Sequence, residues 1–285
     1  MNWFFNGQII PQTEARLPVS DRGFLYGDGV FESLRTYQRI PFLLAEHLHR
    51  LFFDAKAIKL TPPFTKKQVA SAVEKVIERN KGGELYLKII MTRGSTQKHG
   101  LAFANLAGKP NFIIMAEPLP ATGEKLWRTA IPGLIKAASP TSRLKSLCYL
   151  DNILALNEAR LSGADEALLL NKNGLIIEGC VSNFFIVKND LLMTPPLSEP
   201  ILPGITRALV LKLAKRARLA VTEKAPTIRE ALNCDESFAT LSGSGLIPIV
   251  KINNKVINES QTGEITGLLL KLYAQEIERY IKKNK

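Results

Sequence analysis

Two ionisable residues in the middle of the chain stand next to segments whose patterns predict burial. Lys145 precedes an amphipathic segment that starts near Leu150, and Glu178 follows the apolar run 175–177. A lysine in partly apolar surroundings loses proton affinity because its charged form is poorly solvated, and such an amine can form a Schiff base. A buried carboxylate needs a partner, for which a protonated nitrogen is suitable. Because most lysines are surface residues, the two positions alone are only candidates for a site.

The motif LPGITR, residues 202–207, predicts an anion site at the start of a helix. Gly204 leads into a first turn that contains Ile205 and Thr206, whose backbone N–H groups have no partner within the helix and can bind an anion. Arg207 in the same turn opposes the helix dipole, and a bound anion would reverse that effect. An ordinary helix start remains the alternative.

Ser244 lies in a second candidate element, the glycine-rich turn GSG at 243–245. This turn follows a predicted strand and could add backbone amides and a hydroxyl to the same anion. An ordinary turn residue is the alternative for Ser244. The chain contains neither GxGxxG nor GxxxxGK[ST], so motifs do not indicate dinucleotide or nucleoside triphosphate binding.

The elements that position these residues predict a mixed α/β protein with two domains. Asn6-Gly7 predicts a hairpin, residues 30–37 a strand, and residues 42–60 a helix with Arg50 off its apolar stripe. Proline and glycine interrupt the pattern near residue 120. We therefore expect an N-terminal α/β domain at 1–118, a linker at 119–125 and a C-terminal domain at 126–285. In the C-terminal half, leucines from Leu150 onward mark a helix, two hairpins follow it, and an amphipathic helix closes the chain.

The composition indicates a globular protein in the cytoplasm that does not enter a membrane. The 285 residues contain no apolar run long enough to cross a bilayer, and the N-terminus has no signal-peptide pattern. The three cysteines are widely spaced, which fits neither a disulfide framework nor a metal site. The net charge of +12 comes from lysines and arginines interspersed with acids. That pattern favours a solvated basic surface over a nucleic-acid interface, although an anionic substrate or cofactor is compatible with it.

The order of the motifs resembles the fold-type IV pyridoxal-phosphate enzymes. This family includes branched-chain aminotransferases, D-amino-acid aminotransferases and aminodeoxychorismate lyase. The resemblance covers nearly the whole chain, through the blocks SDRGFLYGDGVFESLR, EHLHRL, LKSLCYLDNILALNEARLSGADEALLL, IIEGCVSNFF, MTPPLSEPILPGITR and LSGSG. It implies a two-domain fold of the D-amino-acid aminotransferase type, pyridoxal 5'-phosphate as cofactor and a homodimer. It implies no metal.

The resemblance also implies a role for each residue around the cofactor. Lys145 would be the catalytic residue, which forms the Schiff base and then moves the proton between the substrate α-carbon and the cofactor. Glu178 would keep the pyridine nitrogen protonated. The remaining cofactor-binding residues would be Arg50 and Ser244 at the phosphate with Ile205 and Thr206, Tyr149 at the phenolic oxygen, and Leu202 against the ring.

The expected substrate pocket combines features of several family members. Tyr26, Phe31 and Tyr86 resemble positions of the branched-chain enzymes, and Lys88 stands where those enzymes usually have an arginine. Lys98 replaces an arginine of the D-amino-acid enzymes, whose tyrosine corresponds to Phe31. A lysine cannot grip a carboxylate with two parallel hydrogen bonds as arginine does. Either lysine could bind the substrate carboxylate, and all these residues could also be ordinary core-edge or surface residues.

Three activities follow from the resemblance. The first is transfer of an amino group between a small amino acid, branched-chain or otherwise apolar, and a 2-oxo acid. The second is aminodeoxychorismate lyase activity, which makes 4-aminobenzoate and pyruvate and which Ser33 favours, because the lyases tend to have a hydroxyl at this position. The third is D-amino-acid aminotransferase activity. A non-catalytic binding protein that uses the +12 charge is the alternative outside the family.

Overall fold

The computed structural model describes residues 1–98, 100–103, 106–119 and 125–285. By its internal contacts the chain divides into two compact units. Unit 1 comprises Met1–Ala121, Leu144–Cys148 and Tyr280–Lys285, and unit 2 comprises Thr122–Arg143 and Tyr149–Arg279. Most of the predicted linker lies outside the described residues, so the domain boundary at 119–125 stays a prediction. The segment Leu144–Cys148, which carries Lys145, belongs to unit 1 although it lies in the C-terminal half of the sequence.

Unit 1 is an antiparallel sheet covered by two helices on one face. Its elements are β1 (Asn2–Phe5), β2 (Gln8–Pro11), α1 (Arg22–Tyr26), β3 (Gly29–Tyr37), β4 (Ile40–Pro41), α2 (Leu44–Ala57), α3 (Lys66–Arg79), β5 (Leu85–Thr92), β6 (Ser95–Thr96), β7 (Leu106–Ala107) and β8 (Asn111–Pro118). The strand order is β2-β1-β8-β5-β3-β4, with β6 and β7 paired separately. The predicted Asn6-Gly7 hairpin is confirmed, and both turn residues have positive φ, 48° and 103°.

The core of unit 1 forms where the apolar stripes of α2 and α3 meet one face of the sheet. Leu48, Leu51 and Ala55 of α2 are buried against Val30 and Leu34 of β3. Alternate residues of a strand point to opposite faces. Residues 30, 32, 34 and 36 of β3 therefore face the helices, and residues 31, 33 and 35 face the other side of the sheet. This alternation separates two groups of site residues that are adjacent in sequence.

Unit 2 contains a larger mixed sheet. Its elements are β9 (Trp127–Ala130), α4 (Leu150–Leu161), β10 (Glu166–Leu170), β11 (Ile176–Gly179), β12 (Asn183–Lys188), β13 (Leu191–Thr194), α5 (Ile205–Arg216), β14 (Ala220–Glu223), α6 (Ile228–Leu232), β15 (Glu236–Leu241), β16 (Gly245–Ile252), β17 (Lys255–Val256) and α7 (Glu264–Asn284). The last residues of α7, from Tyr280, are assigned to unit 1. The strand order is β11-β10-β9-β16-β15-β12-β13-β14, and β17 also pairs with β16. The mixed α/β architecture predicted from sequence is confirmed.

The apolar stripe of α4 does not pack as a core stripe. Leu150, Ile153, Leu154 and Leu161 are 67%, 59%, 56% and 83% exposed, respectively. The buried face of this helix is instead formed by small residues, of which Ala155 and Ala159 are almost fully covered. The sequence pattern located the helix but not the face that it buries. None of the helices in the described parts of the chain is long and apolar enough to span a bilayer.

Candidate functional site

Lys145 is fixed through its backbone on both sides. Its N–H donates to Asp54 Oδ2 at 2.9 Å, and its carbonyl oxygen accepts from the Phe31 N–H, also at 2.9 Å. The next residues continue this pairing, because the Leu147 N–H donates to the Gly29 carbonyl oxygen at 3.0 Å. Gly29 permits the close approach, since a Cβ there would lie 2.7 Å from the Leu147 side chain. The direction in which the Lys145 side chain leaves the backbone is therefore set by β3 and α2.

Two lysine ammonium groups lie over the Phe31 ring. Lys145 Nζ lies 4.5 Å from its centroid, and Lys88 Nζ lies 4.8 Å from it. Both distances fall within the range of a cation–π contact. Lys88 reaches this ring from the neighbouring strand, where it lies directly opposite Ser33 in the antiparallel pairing of β3 with β5. One aromatic side chain therefore brings the two lysines to the same patch of the sheet.

Ser33, Tyr86 and Lys88 share the sheet face of Phe31. The register pairs Phe31 with Ile90 and Ser33 with Lys88, which places alternate residues of both strands on that face. Burial raises the pKa of the Tyr86 hydroxyl above its usual value, and a side-chain hydrogen bond with Ser33 partly opposes this shift. The structure thus brings together four of the six predicted substrate residues with Lys145.

Arg50 forms an ion pair with Glu32 on the opposite face of β3. Its Nε donates to Glu32 Oε1 at 2.6 Å and its Nη2 to Glu32 Oε2 at 2.8 Å. Burial disfavours the Glu32 carboxylate, but the charge and hydrogen bonds of Arg50, together with the hydrogen bond from His47, outweigh burial and lower its pKa to about 2. His47 Nδ1 lies 2.6 Å from Glu32 Oε2. Burial lowers the pKa of His47, which favours the neutral side chain.

Asp54 lies one turn after Arg50 on α2 and is fully buried. Burial raises its pKa to about 6, although the hydrogen bond from the Lys145 N–H and the charge of Arg50 both favour the ionised form. The negative charge of Glu32 adds to the upward shift. Asp54 therefore titrates much closer to neutral pH than an exposed aspartate does.

Tyr26 and Lys98 lie in parts of unit 1 that are more exposed. Tyr26 ends α1, whose start is capped by Asp21 through hydrogen bonds from the Gly23 and Phe24 N–H groups at 2.8 and 3.2 Å. Lys98 follows β6 in an exposed loop, where its carbonyl oxygen accepts a hydrogen bond from Thr96. The described contacts do not join Lys98 to Phe31, Ser33, Tyr86 or Lys88, so it stays a predicted site residue.

Glu178 is a buried carboxylate of unit 2. It lies on β11 opposite Leu169, and its side chain is 5% exposed. Oε1 is 2.5 Å from Lys136 Nζ, and Oε2 accepts the Leu202 N–H at 2.9 Å. The sequence predicted burial of Glu178 but not Lys136 as its partner. The Glu178 carboxylate thus contacts the loop that leads into α5 directly.

The backbone N–H groups of the first turn of α5 are not capped by a side chain. Asn183 Nδ2 donates to the Leu202 carbonyl oxygen at 3.0 Å, so both polar backbone groups of Leu202 are fixed. Gly204 is the residue before the helix, and no side chain caps the first turn with Ile205 and Thr206. A Cβ at Gly204 would lie 1.9 Å from Asn183 Oδ1, so only glycine fits. Within unit 2 the structure places Glu178 beside the loop that carries Leu202, Ile205 and Thr206, and the contacts of these residues with a cofactor stay predictions.

Arg207 does not depend on a bound anion for charge balance. Its Nη2 donates to Glu223 Oε2 and to the Pro195 carbonyl oxygen, both at 2.7 Å. The positive charge of Arg207 near the helix start is therefore compensated within the protein. The position of Arg207 does not indicate a bound anion. The case for an anion at α5 rests on the uncapped backbone N–H groups alone.

Ser244 and Tyr149 occupy turns in unit 2. Ser244 is half-buried in the turn between β15 and β16, and Ser242 in the same turn carries a second hydroxyl that the sequence analysis did not consider. Tyr149 is the residue before α4 and is also half-buried. Their predicted contacts with a cofactor phosphate and phenolic oxygen stay predictions. Across the described residues, three or more His, Cys, Asp or Glu side chains nowhere gather in a way that could hold a metal ion.

The sequence analysis missed several residues that hold the site. They are Glu32, His47 and Asp54 in unit 1, and Lys136, Glu166 and Asn183 in unit 2. A signal existed for Glu32, because strand alternation places it on the same face as Val30 and Leu34. Glu166 is buried in a run of apolar residues, where it accepts hydrogen bonds from the Cys180 and Val181 N–H groups and fixes the turn after β11. Lys136 lies in irregular chain, where no periodicity could identify it.

Fold and site define the class as a two-unit α/β protein with a clamped lysine in one unit and a buried carboxylate beside an uncapped helix start in the other. The family model described as amino-transferase class IV matches residues 29–252. The chain belongs to the class IV aminotransferases.

Curated relatives cover nearly the full length of the chain. A Methanocaldococcus jannaschii protein, named provisionally as a branched-chain-amino-acid aminotransferase, is 37% identical over 94% of each chain. A D-alanine aminotransferase of Bacillus licheniformis is 32% identical over 93% of each chain. An aminodeoxychorismate lyase of Bacillus subtilis is 31% identical over 98% of this chain and 95% of its own. Identity alone therefore separates these three activities only weakly.

Solved structures share the fold. The branched-chain aminotransferase of Thermoproteus uzoniensis with norvaline has a TM-score of 0.88 at 30% identity, and covers 97% of this chain and 94% of its own. An aminotransferase of Brucella abortus, bound to the cofactor PLP, has a TM-score of 0.88 with 97% of this chain and 99% of its own covered. Because this Brucella abortus protein is only 22% identical, its similarity shows the fold alone. The fold predicted from the resemblance is confirmed.

Proposed function

We propose that this pyridoxal-phosphate-dependent aminotransferase uses Lys145 to move an amino group between a small apolar L-amino acid, of the branched-chain type, and a 2-oxo acid. The observation that carries the proposal is the clamp on Lys145, whose backbone is held on both sides while its Nζ lies over the Phe31 ring. The similarity to the branched-chain enzymes supports the choice of substrate.

The described residues fit pyridoxal 5'-phosphate. The uncapped first turn of α5 suits a phosphate. Glu178 is a buried carboxylate suited to a protonated pyridine nitrogen. The residues that would hold the cofactor are Lys145, Glu178, Tyr149, Leu202, Ile205, Thr206, Ser244 and Arg50. Nε and Nη2 of Arg50 bind Glu32, so its place at the phosphate is what the resemblance implies.

The residues around Lys145 define what the chain itself contributes. When bound, the cofactor supplies a conjugated ring that accepts the electron pair released at the substrate α-carbon. Lys145 Nζ would remove the proton from the substrate α-carbon and then deliver it to the cofactor. The Phe31 ring lies against the amine and would restrict its position. Lys136 and the Leu202 N–H hold the Glu178 carboxylate in one orientation.

We assign the substrate carboxylate to Lys88 and not to Lys98. Lys88 reaches the same aromatic ring as Lys145, whereas Lys98 lies in an exposed loop. The substrate side chain would contact the half-buried sheet face that carries Phe31, Ser33 and Tyr86. Tyr26 would border the same pocket as in the enzymes that it resembles.

Aminodeoxychorismate lyase activity is the second candidate, and one observation favours it. The Ser33 hydroxyl lies on the face of Phe31 and is oriented by its hydrogen bond with Tyr86. A hydroxyl held there could deliver a proton as pyruvate leaves. D-amino-acid aminotransferase activity is the third candidate. It has less support, because Phe31 and Lys98 replace residues on which the resemblance to those enzymes depends.

We further propose a homodimer, supported by the exposed stripe on α4. Leu150, Ile153, Leu154 and Leu161 form a set of large apolar side chains that monomeric proteins seldom leave in water. A second copy of the chain would cover them. Sedimentation of Leu154→Glu beside the natural chain tests this assignment, and a monomeric natural chain would contradict it.

We place the activity in a reducing compartment, the cytoplasm. Cys148, Cys180 and Cys234 are all free thiols, and burial raises the pKa of Cys180 and Cys234 to about 12, which keeps them unreactive. Proteins of oxidising compartments use cysteine mainly in disulfides.

The function is tested by adding four compounds separately to the purified protein loaded with pyridoxal phosphate. L-leucine, L-glutamate, D-alanine and aminodeoxychorismate are supplied, and the visible absorbance and the released 2-oxo acid are followed. We expect conversion with L-leucine and L-glutamate, and loss of turnover in Lys145→Ala. Release of pyruvate from aminodeoxychorismate, with no response to the amino acids, would establish the lyase instead. Full turnover by Lys145→Ala would contradict both assignments.

A further inference from the structure

Asp54 accepts a hydrogen bond from the backbone N–H of Lys145. Its Oδ2 lies 2.9 Å from that nitrogen. Asp54 is fully buried in the last turns of α2, where an unpaired carboxylate would be costly. Its position therefore has a structural consequence: it connects a rigid helix to the backbone of the reactive lysine.

The charged groups that act on Asp54 come from each element that surrounds it. Arg50 lies on the same helix, Glu32 on β3, and Lys145 on the segment that Asp54 holds. His47 shares Glu32 with Arg50, and burial lowers its pKa. Burial outweighs the favourable charges and raises the pKa of Asp54 to about 6. The charge on Asp54 therefore changes in a pH range in which enzymes commonly work.

We propose, on the basis of the function proposed above, that Asp54 is the positioning residue of Lys145 and that its ionisation strengthens this hold. An ionised acceptor makes a hydrogen bond roughly twice as strong as a neutral one. The ionised carboxylate therefore fixes the Lys145 peptide group more firmly than the protonated carboxyl does. Because the carbonyl side of the same residue is held by the Phe31 N–H, the direction of the Lys145 side chain depends on Asp54.

Two variants separate the contact from the charge. Asp54→Asn keeps an oxygen that can accept the Lys145 N–H but cannot ionise, and Asp54→Ala removes the acceptor. Glu236→Gln is the matched control, because Glu236 is also a buried carboxylate that accepts backbone N–H groups, those of Ile265 and Thr266 in unit 2. If Asp54→Ala does not fold, Asp54→Asn alone still carries the test.

The first readout is amide hydrogen exchange at Lys145 in the protein without cofactor, corrected for the intrinsic pH dependence of exchange. It is expressed relative to amides that exchange only through global unfolding, because ionisation of Asp54 also lowers the global stability. In the natural chain we expect protection to increase about tenfold as the pH rises through 6, which corresponds to the difference between a neutral and a charged acceptor. Asp54→Asn should show the lower protection at every pH, without the step. Asp54→Ala should lose protection. Glu236→Gln should reproduce the natural profile.

The second readout is the kinetics of the cofactor-loaded protein. Asp54→Ala should lower kcat by about tenfold or more with little change in KM, because misplacement of a reacting group affects the chemical step. Asp54→Asn should recover part of that loss. A step of equal size in Asp54→Asn, or equal kcat losses in Asp54→Ala and Glu236→Gln, would overturn the proposal. Absence of turnover in the natural chain, combined with the expected exchange profile, would refute the proposed function and leave the Asp54 contact supported.

Discussion

Replacement of Glu32 by glutamine tests the buried charge cluster that joins α2 to β3. Glu32 is fully buried, and its carboxylate receives both a two-pronged contact from Arg50 and a hydrogen bond from His47. Glutamine has nearly the same shape but no charge, so Arg50 would remain buried without a counter-ion. Removal of one partner of a buried pair is strongly destabilising for this reason.

The expected loss follows from the pKa of Glu32. Its value of about 2 in the folded protein, against 4.5 for an unperturbed glutamate, is a difference of about 2.5 pH units. At 1.36 kcal/mol per unit, ionisation of Glu32 contributes about 3 kcal/mol to the free energy of unfolding at neutral pH. Because the folded pKa is lowered, this contribution is fully present above pH 4.5 and decreases as the pH falls towards 2. At a pH of about 3 this contribution should be less than half as large.

Urea denaturation of the natural chain and of Glu32→Gln at several pH values measures this difference. We expect the free energy of unfolding of Glu32→Gln to be about 3 kcal/mol below that of the natural chain at a pH of about 7. This difference should be less than half as large at a pH of about 3. Glu74→Gln on the exposed face of α3 is the control and should differ from the natural chain by less than about 0.5 kcal/mol. A gap below about 1 kcal/mol at neutral pH, or one that does not change with pH, would refute this account of the cluster.

Three further changes have defined outcomes. Lys136→Met should destabilise the cofactor-free protein by about 2 kcal/mol, because it leaves the Glu178 carboxylate buried with one partner fewer, and thermal unfolding should show a smaller loss once pyridoxal phosphate is bound. Gly204→Ala should cost about 1–3 kcal/mol and weaken phosphate binding in equilibrium dialysis, because its Cβ would meet Asn183 at 1.9 Å. The pKa of Asp54 is raised to about 6 from 3.8, so the folded state binds this proton more tightly than the unfolded state does. The contribution of protonated Asp54 to the free energy of unfolding should therefore decrease by about 3 kcal/mol as the pH rises from about 4 to about 6. Urea denaturation of Asp54→Asn should lack this decrease, and equal pH profiles would contradict it.

Much of the fold could be predicted because its elements carry strong local patterns. The stripe of α2 and the alternation of β3 and β5 identify both the elements and their buried faces. The short helices α1 and α6 were not predicted, because five residues are too few to show a helical period. Their capping residues, Asp21 and Thr227, were the available signal. The exposed stripe on α4 shows that a pattern locates an element without specifying what covers it.

The site was predicted less completely, for physical reasons. Lys145 and Glu178 were identified because each type of residue is unusual beside apolar segments. Their partners, Asp54 and Lys136, are 91 and 42 residues away in sequence, respectively, and only the folded chain brings them into contact. The resemblance implied a phosphate contact for Arg50, but two of its nitrogens bind Glu32. Spacing along one helix cannot reveal a partner on a neighbouring strand.

The most direct test of the central claim is to identify the lysine that carries the cofactor. The protein loaded with pyridoxal phosphate is treated with borohydride, which converts the reversible link between lysine and cofactor into a stable amine, and the peptides are sequenced by mass spectrometry. The account predicts the added mass on Lys145 alone, the lysine whose backbone is held by Asp54 and Phe31. Attachment to Lys136 or Lys88, or no attachment at all, would contradict it.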